Sequence, residues 1–191
     1  MPKTRAKSEH QEKANEIVDA AIARLRAGGV DALSVAALAR ELGVAQNTIY
    51  WYFPSRDHLL VAAIGRMAQR IINEGTAADG VQREEEGAKP ATVKDAVLLA
   101  VDRFAEIHPL RIALQDRARS SPVVHEFDTR LSGFLREALR EAFEPFVPEA
   151  DMDMAVETFM LASDGCHARG LSAPERRAVL GFVLDRLGVH D

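Results

Sequence analysis

The chain has 191 residues, enough for one domain or for a small domain joined to a medium one. Hydrophobic residues at 47% and charged residues at 28% supply material for a core and argue against global disorder. No apolar run approaches the ~18 residues of a membrane span, the polar N-terminus lacks a signal-like apolar segment, and Cys166 is a lone cysteine without an intrachain partner, so a cytoplasmic protein is expected.

The net charge of −5 conceals an asymmetry. Met1 to Ile72 hold ten Lys/Arg against seven Asp/Glu, a balance of +3, and the remainder carries −8. A mildly basic head on an acidic body suggests two jobs in one chain, although an asymmetry of this size also arises by chance.

Residues 1–11 contain Lys3, Arg5 and Lys7 without an apolar anchor and read as a flexible basic arm. From Glu12, Ile17, Val18, Ala21, Ile22 and Leu25 recur at helical spacing until Gly28 and Gly29 stop them. Ser34 is a good N-cap for a short helix with Val35, Leu38, Ala39 and Leu42 inward, and Gly43 suits the turn after it. Gln46 to Phe53 form a third short helix ended by Pro54. Ser55 starts a fourth, with Leu59, Leu60, Ala63, Ile64 and Met67 as its stripe, running to about Ile72. Residues 73–92, rich in glycine and glutamate, read as a mobile loop. Helices are then expected over Val93 to Ile107, Pro109 to Arg119, Val123 to Phe143 (with Gly133 as a possible break), Met152 to Gly170 and Pro174 to Leu187. With no period-two alternation, the fold class is all-α with about nine helices.

The informative segment is SVAALARELGVAQNTIYWYFPSRDHLL, Ser34 to Leu60. Two short helices joined through Gly43, with Ala39 facing the turn and Leu38, Leu42, Val44 and Ile49 as shared core, make a helix-turn-helix. That spacing by itself recurs in many helical proteins. The second helix, however, shows Gln46, Asn47, Thr48, Tyr50, Trp51 and Tyr52. Amides pair with adenine edges, and Thr or aromatic faces meet thymine methyls and phosphates in a major groove. Trp51 is the only tryptophan and Tyr50 and Tyr52 the only tyrosines. Three adjacent helical positions cannot all point into one core, so at least one faces outward.

With these residues, the stretch from about Glu12 to Ile64 resembles the N-terminal domain of the tetracycline-repressor (TetR) family of bacterial transcription regulators. The resemblance rests on the hydrophobic spacing, Gly43, the TIYWYF block and the helix start from Ser55 to Leu60. It implies a DNA-binding domain over 12–60 and a helical ligand-binding and dimerisation domain over 61–191. Gln46, Asn47, Thr48 and Tyr50 become candidate base-readers, Trp51 a further DNA-binding candidate, and Ser34, Tyr52 and Arg56 candidate phosphate contacts. Ala45 and Ala36 stand where the family often has a hydroxyl cap and a basic residue, and Arg56 replaces the more usual lysine.

The resemblance further implies a homodimer through the last two helices, bound to a palindromic double-stranded operator, and a small-molecule effector. The candidate dimer stripes are Met152, Val156, Phe159, Met160 and Ser163, and Val179, Leu180, Val183 and Leu187; intramolecular core is the alternative for the same residues. Polar groups on apolar helices, His108, Arg111, Gln115, His125, Asp164 and His167, beside Phe104, Phe127, Phe134 and Phe159, are candidate ligand contacts for a mostly apolar molecule, with a satisfied or solvent-facing side chain as the alternative for each. Asp164, Cys166 and His167 carry ligand chemistry, but no metal or cofactor is expected from their spacing. GxSxG, Walker and HExxH patterns are lacking, so an enzyme is not expected. The alternative reading is a helical ligand-binding or protein-interaction module without sequence-specific DNA binding.

Overall fold

The computed structural model describes residues 2–77 and 91–190, and every regular element among them is helical. In chain order these are α1 (Pro2–Gly28), α2 (Val35–Glu41), α3 (Gln46–Tyr52), α4 (Arg56–Ala77), α5 (Val93–Phe104), α6 (His108–Ala118), α7 (Pro122–Phe143), α8 (Glu149–Ala168) and α9 (Ala173–Arg186), with a short 3-10 turn at Val30–Ala32. The all-α class and helix order follow the apolar spacing. α1 starts at Pro2, however, and not at Glu12, so most of the expected arm is helical. Lys, Arg, Ala and Glu favour helix intrinsically, with no apolar face required. α4 continues past Ile72 to Ala77. Residues 78–90, most of the expected loop, lie outside the described residues. Gly133 does not break α7: one glycine costs about 1 kcal/mol, which 22 residues of amphipathic helix absorb.

The helices group into two units, Met1–Gln69 with Leu110–Asp128, and Arg70–Pro109 with Thr129–Asp191. In the first, Ile17, Ala21, Ile22 and Leu25 of α1, Leu38 and Ala39 of α2, Ile49 of α3, and Leu59, Leu60, Ala63 and Ile64 of α4 are all buried. Polar ties register these helices. Arg24 of α1 grips the Glu41 carboxylate of α2 through Nε and Nη2 at 3.0 and 2.7 Å. Arg66 of α4 reaches back to Asp19 of α1 at 3.1 Å and hydrogen-bonds the Asn15 side chain. Ser34 caps α2 as expected, its Oγ accepting from the Ala37 amide.

The second unit is built on Val97 and Leu98 of α5, Phe143 at the end of α7, Met152, Val156 and Phe159 of α8, and Leu180 and Leu184 of α9. Phe143 and Phe159 meet edge to face at 5.8 Å. The Glu175 carboxylate accepts from the Ser172 amide and hydroxyl at 2.8 and 2.6 Å, closing the start of α9 and holding that carboxyl below its ordinary range.

Gly43 sits at φ +63° in the α2–α3 turn, and a methyl added there would meet nothing within 4 Å. The cost of Gly43→Ala is therefore backbone strain alone, about 1–2 kcal/mol. Urea unfolding should show that loss with an unchanged m value; an unaltered midpoint would mean that the turn relaxes freely.

Candidate nucleic-acid interface and ligand contacts

α3 is a short helix with little to hide. Ile49 is its only fully buried side chain, and Ala45, at its N-cap, makes no side-chain capping bond. Gln46, Asn47, Tyr50 and Trp51 are exposed, Trp51 at 68%, while Thr48 and Tyr52 are half-buried. Two aromatic side chains and two amides thus share one outward surface, the donor, acceptor and π chemistry that reads base edges and sugar–phosphate walls.

The candidate phosphate contacts are placed differently. Ser34 Oγ serves its own helix as a cap. Arg56 turns inward: Nε donates to the Leu33 carbonyl at 2.7 Å and Nη2 to the Val30 carbonyl at 2.5 Å. The Val30 carbonyl already accepts from the Leu33 amide, and the guanidinium fork adds a second donor there and one to the Leu33 carbonyl at once. Arg56 thereby fixes the segment leading into α2 against the first turn of α4. Tyr52 packs against the rings of Trp51 and His10. His10 lies in α1, in the stretch expected to be an unanchored arm, and no sequence signal linked it to α3.

Beside Arg56, Asp57 is buried and makes a two-pronged pair with Arg117 of α6, Nε to Oδ1 at 3.0 Å and Nη2 to Oδ2 at 3.1 Å. Burial opposes ionisation of Asp57. Hydrogen bonds from Arg117 and Ser121, with the charges of Arg117 and Arg56, outweigh that penalty and hold the carboxyl below the usual carboxylate range.

The candidate ligand residues divide. Arg111, Gln115 and Phe127 belong to the first unit, whereas Phe104, His108, Phe134, Phe159 and Asp164 belong to the second. Within the second, His108 is 8% exposed, its Nε2 lies 2.9 Å from Asp164 Oδ1, and its ring stacks on His167 at 3.9 Å. That trio is brought together. Phe159 is instead a core residue, Phe134 is 47% exposed, and Gln115 is exposed. Among the described residues no cluster of three or more His, Cys, Asp or Glu is arranged to hold a metal.

The expected dimer stripes also need correction. Met152, Val156, Phe159 and Leu180 are buried within the second unit, and Met160, Val183 and Leu187 pack against that core. The outward apolar side chains are Met154 and Leu161 on α8 and Val179 and Phe182 on α9. α8 is apolar on two faces, and its spacing alone did not distinguish them. Val179 alone of the expected set faces outward.

Comparison with known proteins finds a family match within the first unit. Residues 17–63 match the family described as bacterial regulatory proteins, tetR family. The chain is 32% identical over 108 residues to the HTH-type transcriptional repressor KstR of Rhodococcus jostii, covering 56% of this chain and 48% of that protein. It is 44% identical over 61 residues to KstR of Mycolicibacterium smegmatis, covering 32% and 30%. These matches span half or less of the relatives' own length. Among solved structures, BioQ with its double-stranded DNA operator aligns at TM-score 0.59 and 21% identity, over 93% of this chain and 98% of that one. A transcriptional regulator from Saccharomonospora viridis in complex with choline aligns at TM-score 0.75 and 15% identity, over 95% and 100%. Similarity at these identities supports the fold. Among the described residues no helix is long and apolar enough to cross a membrane.

The lowered folded-state pKa of Asp57 sets a pH window. Its pair stabilises the fold above the ordinary aspartate value of about 3.9 and loses that contribution as pH falls through the folded value. Asp57→Asn should destabilise by about 1 kcal/mol near neutral pH, a modest figure because the Arg117 side chain is 46% exposed. The gap should close at acid pH, below both values. Urea midpoints of the two proteins between about pH 3 and 7 check this, and a gap independent of pH would assign the loss to packing.

Proposed function

We propose that this chain, whose residues 17–63 belong to the tetR family of bacterial regulatory proteins, is a cytoplasmic, homodimeric transcriptional repressor that leaves its operator when a small molecule binds its C-terminal helices. The observation that carries the reading is the outward surface of α3, where Gln46, Asn47, Tyr50 and Trp51 are exposed around a single buried anchor, Ile49. Water gives no reason to expose two aromatics side by side. A base-lined groove does. Gln46, Asn47, Thr48 and Tyr50 read bases in this scheme, with Trp51 against the groove wall. KstR is named a repressor and BioQ was solved on operator DNA, which supports the same assignment here.

The dimer uses the exposed face of α8 and α9. Met154, Thr158, Leu161 and Gly165 follow one another at helical spacing on α8, and Ala178, Val179 and Phe182 do so on α9, all exposed. Two copies of this face, related by a two-fold axis, form an isologous interface and present two α3 helices to half-sites about one helical turn apart.

The ligand is a largely apolar molecule oriented by His108 and Asp164. α6 begins at His108 and carries Arg117 near its other end, where Arg117 holds Asp57 at the start of α4. A ligand that displaces α6 therefore acts on the helix whose Arg56 neighbour fixes the approach to α2. By linkage, the ligand weakens DNA binding by the same factor that DNA weakens ligand binding. Burial pushes the Cys166 thiol up, which leaves it a poor nucleophile.

Selection of duplexes from a random pool by the full chain tests the reading, with an enriched palindrome expected. Tyr50→Ala should keep the helical circular dichroism and bind the enriched duplex about 5- to 100-fold more weakly, the equivalent of ~1–3 kcal/mol of lost base contact. Equal affinity would remove Tyr50 from the interface. Phe182→Asp, which places a charge in the exposed apolar face of α9, should sediment as a monomer at micromolar concentration while remaining folded. An intact dimer would move the interface elsewhere.

A further inference from the structure

α3 does not support its outward rings alone. The His10 ring of α1 lies 4.8 Å from Trp51 at 69°, and 4.7 Å from Tyr52 at 45°. Trp51 and Tyr52 themselves meet at 4.8 Å and 87°. Each ring therefore lies against the other two, and both contacts to Trp51 are edge-to-face, the arrangement that aromatic quadrupoles favour. Trp51 nevertheless remains 68% exposed: it is braced along its flanks and open outward. α3 has seven residues and one fully buried side chain, Ile49, so ring contacts at its C-terminal end add to a small set of anchors.

We propose that His10 is a positioning residue for DNA reading, holding the Trp51 indole in a single orientation and so pre-organising the C-terminal half of α3 for the duplex. This inference rests on the DNA-binding reading above. An exposed tryptophan that samples several rotamers gives up that freedom on binding, whereas one already held by two neighbouring rings has less to lose. His10 also makes the pose of α3 depend on the early turns of α1, a helix otherwise anchored by its apolar stripe from Ile17 to Leu25. A direct imidazole contact to phosphate would give the same residue a different role, and the two roles separate experimentally.

Trp51 is the only tryptophan, so the emission of the full chain reports this ring alone. In His10→Ala, acrylamide quenching of Trp51 should increase. Affinity for a duplex selected by the wild-type chain should fall about three- to tenfold, the scale of one immobilised side chain. His10→Phe, which keeps an aromatic ring and removes the imidazole nitrogens, should restore both. The slope of log affinity against log salt should be the same in all three proteins, because no phosphate contact is removed. Unchanged quenching in a folded His10→Ala would overturn the proposal. So would a loss that phenylalanine does not rescue and that comes with a salt slope smaller by about one unit, which would make His10 a phosphate contact. If the wild-type chain enriches no duplex, the DNA-binding reading falls and takes the positioning role with it, and quenching then decides only whether the rings are in contact.

Discussion

Ile49 is the one side chain that α3 buries completely, and the pose of the helix depends on how its neighbours compensate for that. A helix of seven residues is far too short to persist in water without support. Its support is distributed: Leu38 and Ala39 of α2 lie behind it in the shared core, Gly43 sets the turn, and the rings of His10 and Tyr52 flank Trp51. Economy of burial has a functional consequence. With one position committed fully to the core, Gln46, Asn47, Tyr50 and Trp51 are left on the outward surface.

The first turn of α4 joins these supports to the remainder of its unit. Arg56 and Asp57 are adjacent, carry opposite charges and reach different partners. The guanidinium of Arg56 satisfies the Leu33 and Val30 carbonyls ahead of α2, and the carboxylate of Asp57 receives Arg117 from α6. Burial alone would disfavour the charge on Asp57, and the fork from Arg117 with the Ser121 hydrogen bond reverses that balance. A buried carboxylate deprived of such partners is strongly destabilising. The start of α4 is thereby tied to α6 through Asp57 and Arg117.

In the second unit, α8 and α9 divide their apolar residues between two faces. Met152, Val156, Phe159, Leu180 and Leu184 fill the core, while Met154, Leu161, Val179 and Phe182 remain outside it. Ion pairs flank the outward surface, including Arg136 with Glu157 at 2.5 Å. An apolar strip bordered by charge is the anatomy of a protein–protein contact, with an apolar centre and a polar rim.

The all-α class, the helix order and the helix-turn-helix were legible in the amino-acid order, because these follow from local periodicity, capping and turn chemistry, in which the deciding residues are neighbours. Gly43, the Ser34 cap and the alternation of Ile49 with exposed amides could all be read that way. The sequence also required at least one of Tyr50, Trp51 and Tyr52 to face outward, since three adjacent rings cannot share one core. Tertiary contacts alone settled which groups Arg56 and His10 meet, which face of α8 is core, and that Phe159 belongs to packing. Each of those outcomes depends on a partner distant in the chain: Leu33 for Arg56, Trp51 for His10, Phe143 for Phe159. An arginine near an interface has the same local pattern whether its fork meets a phosphate or a carbonyl, and an apolar helix with two faces has the same spacing on both. The choice is made by which groups the fold brings within hydrogen-bonding or packing distance, and helical periodicity carries no record of that.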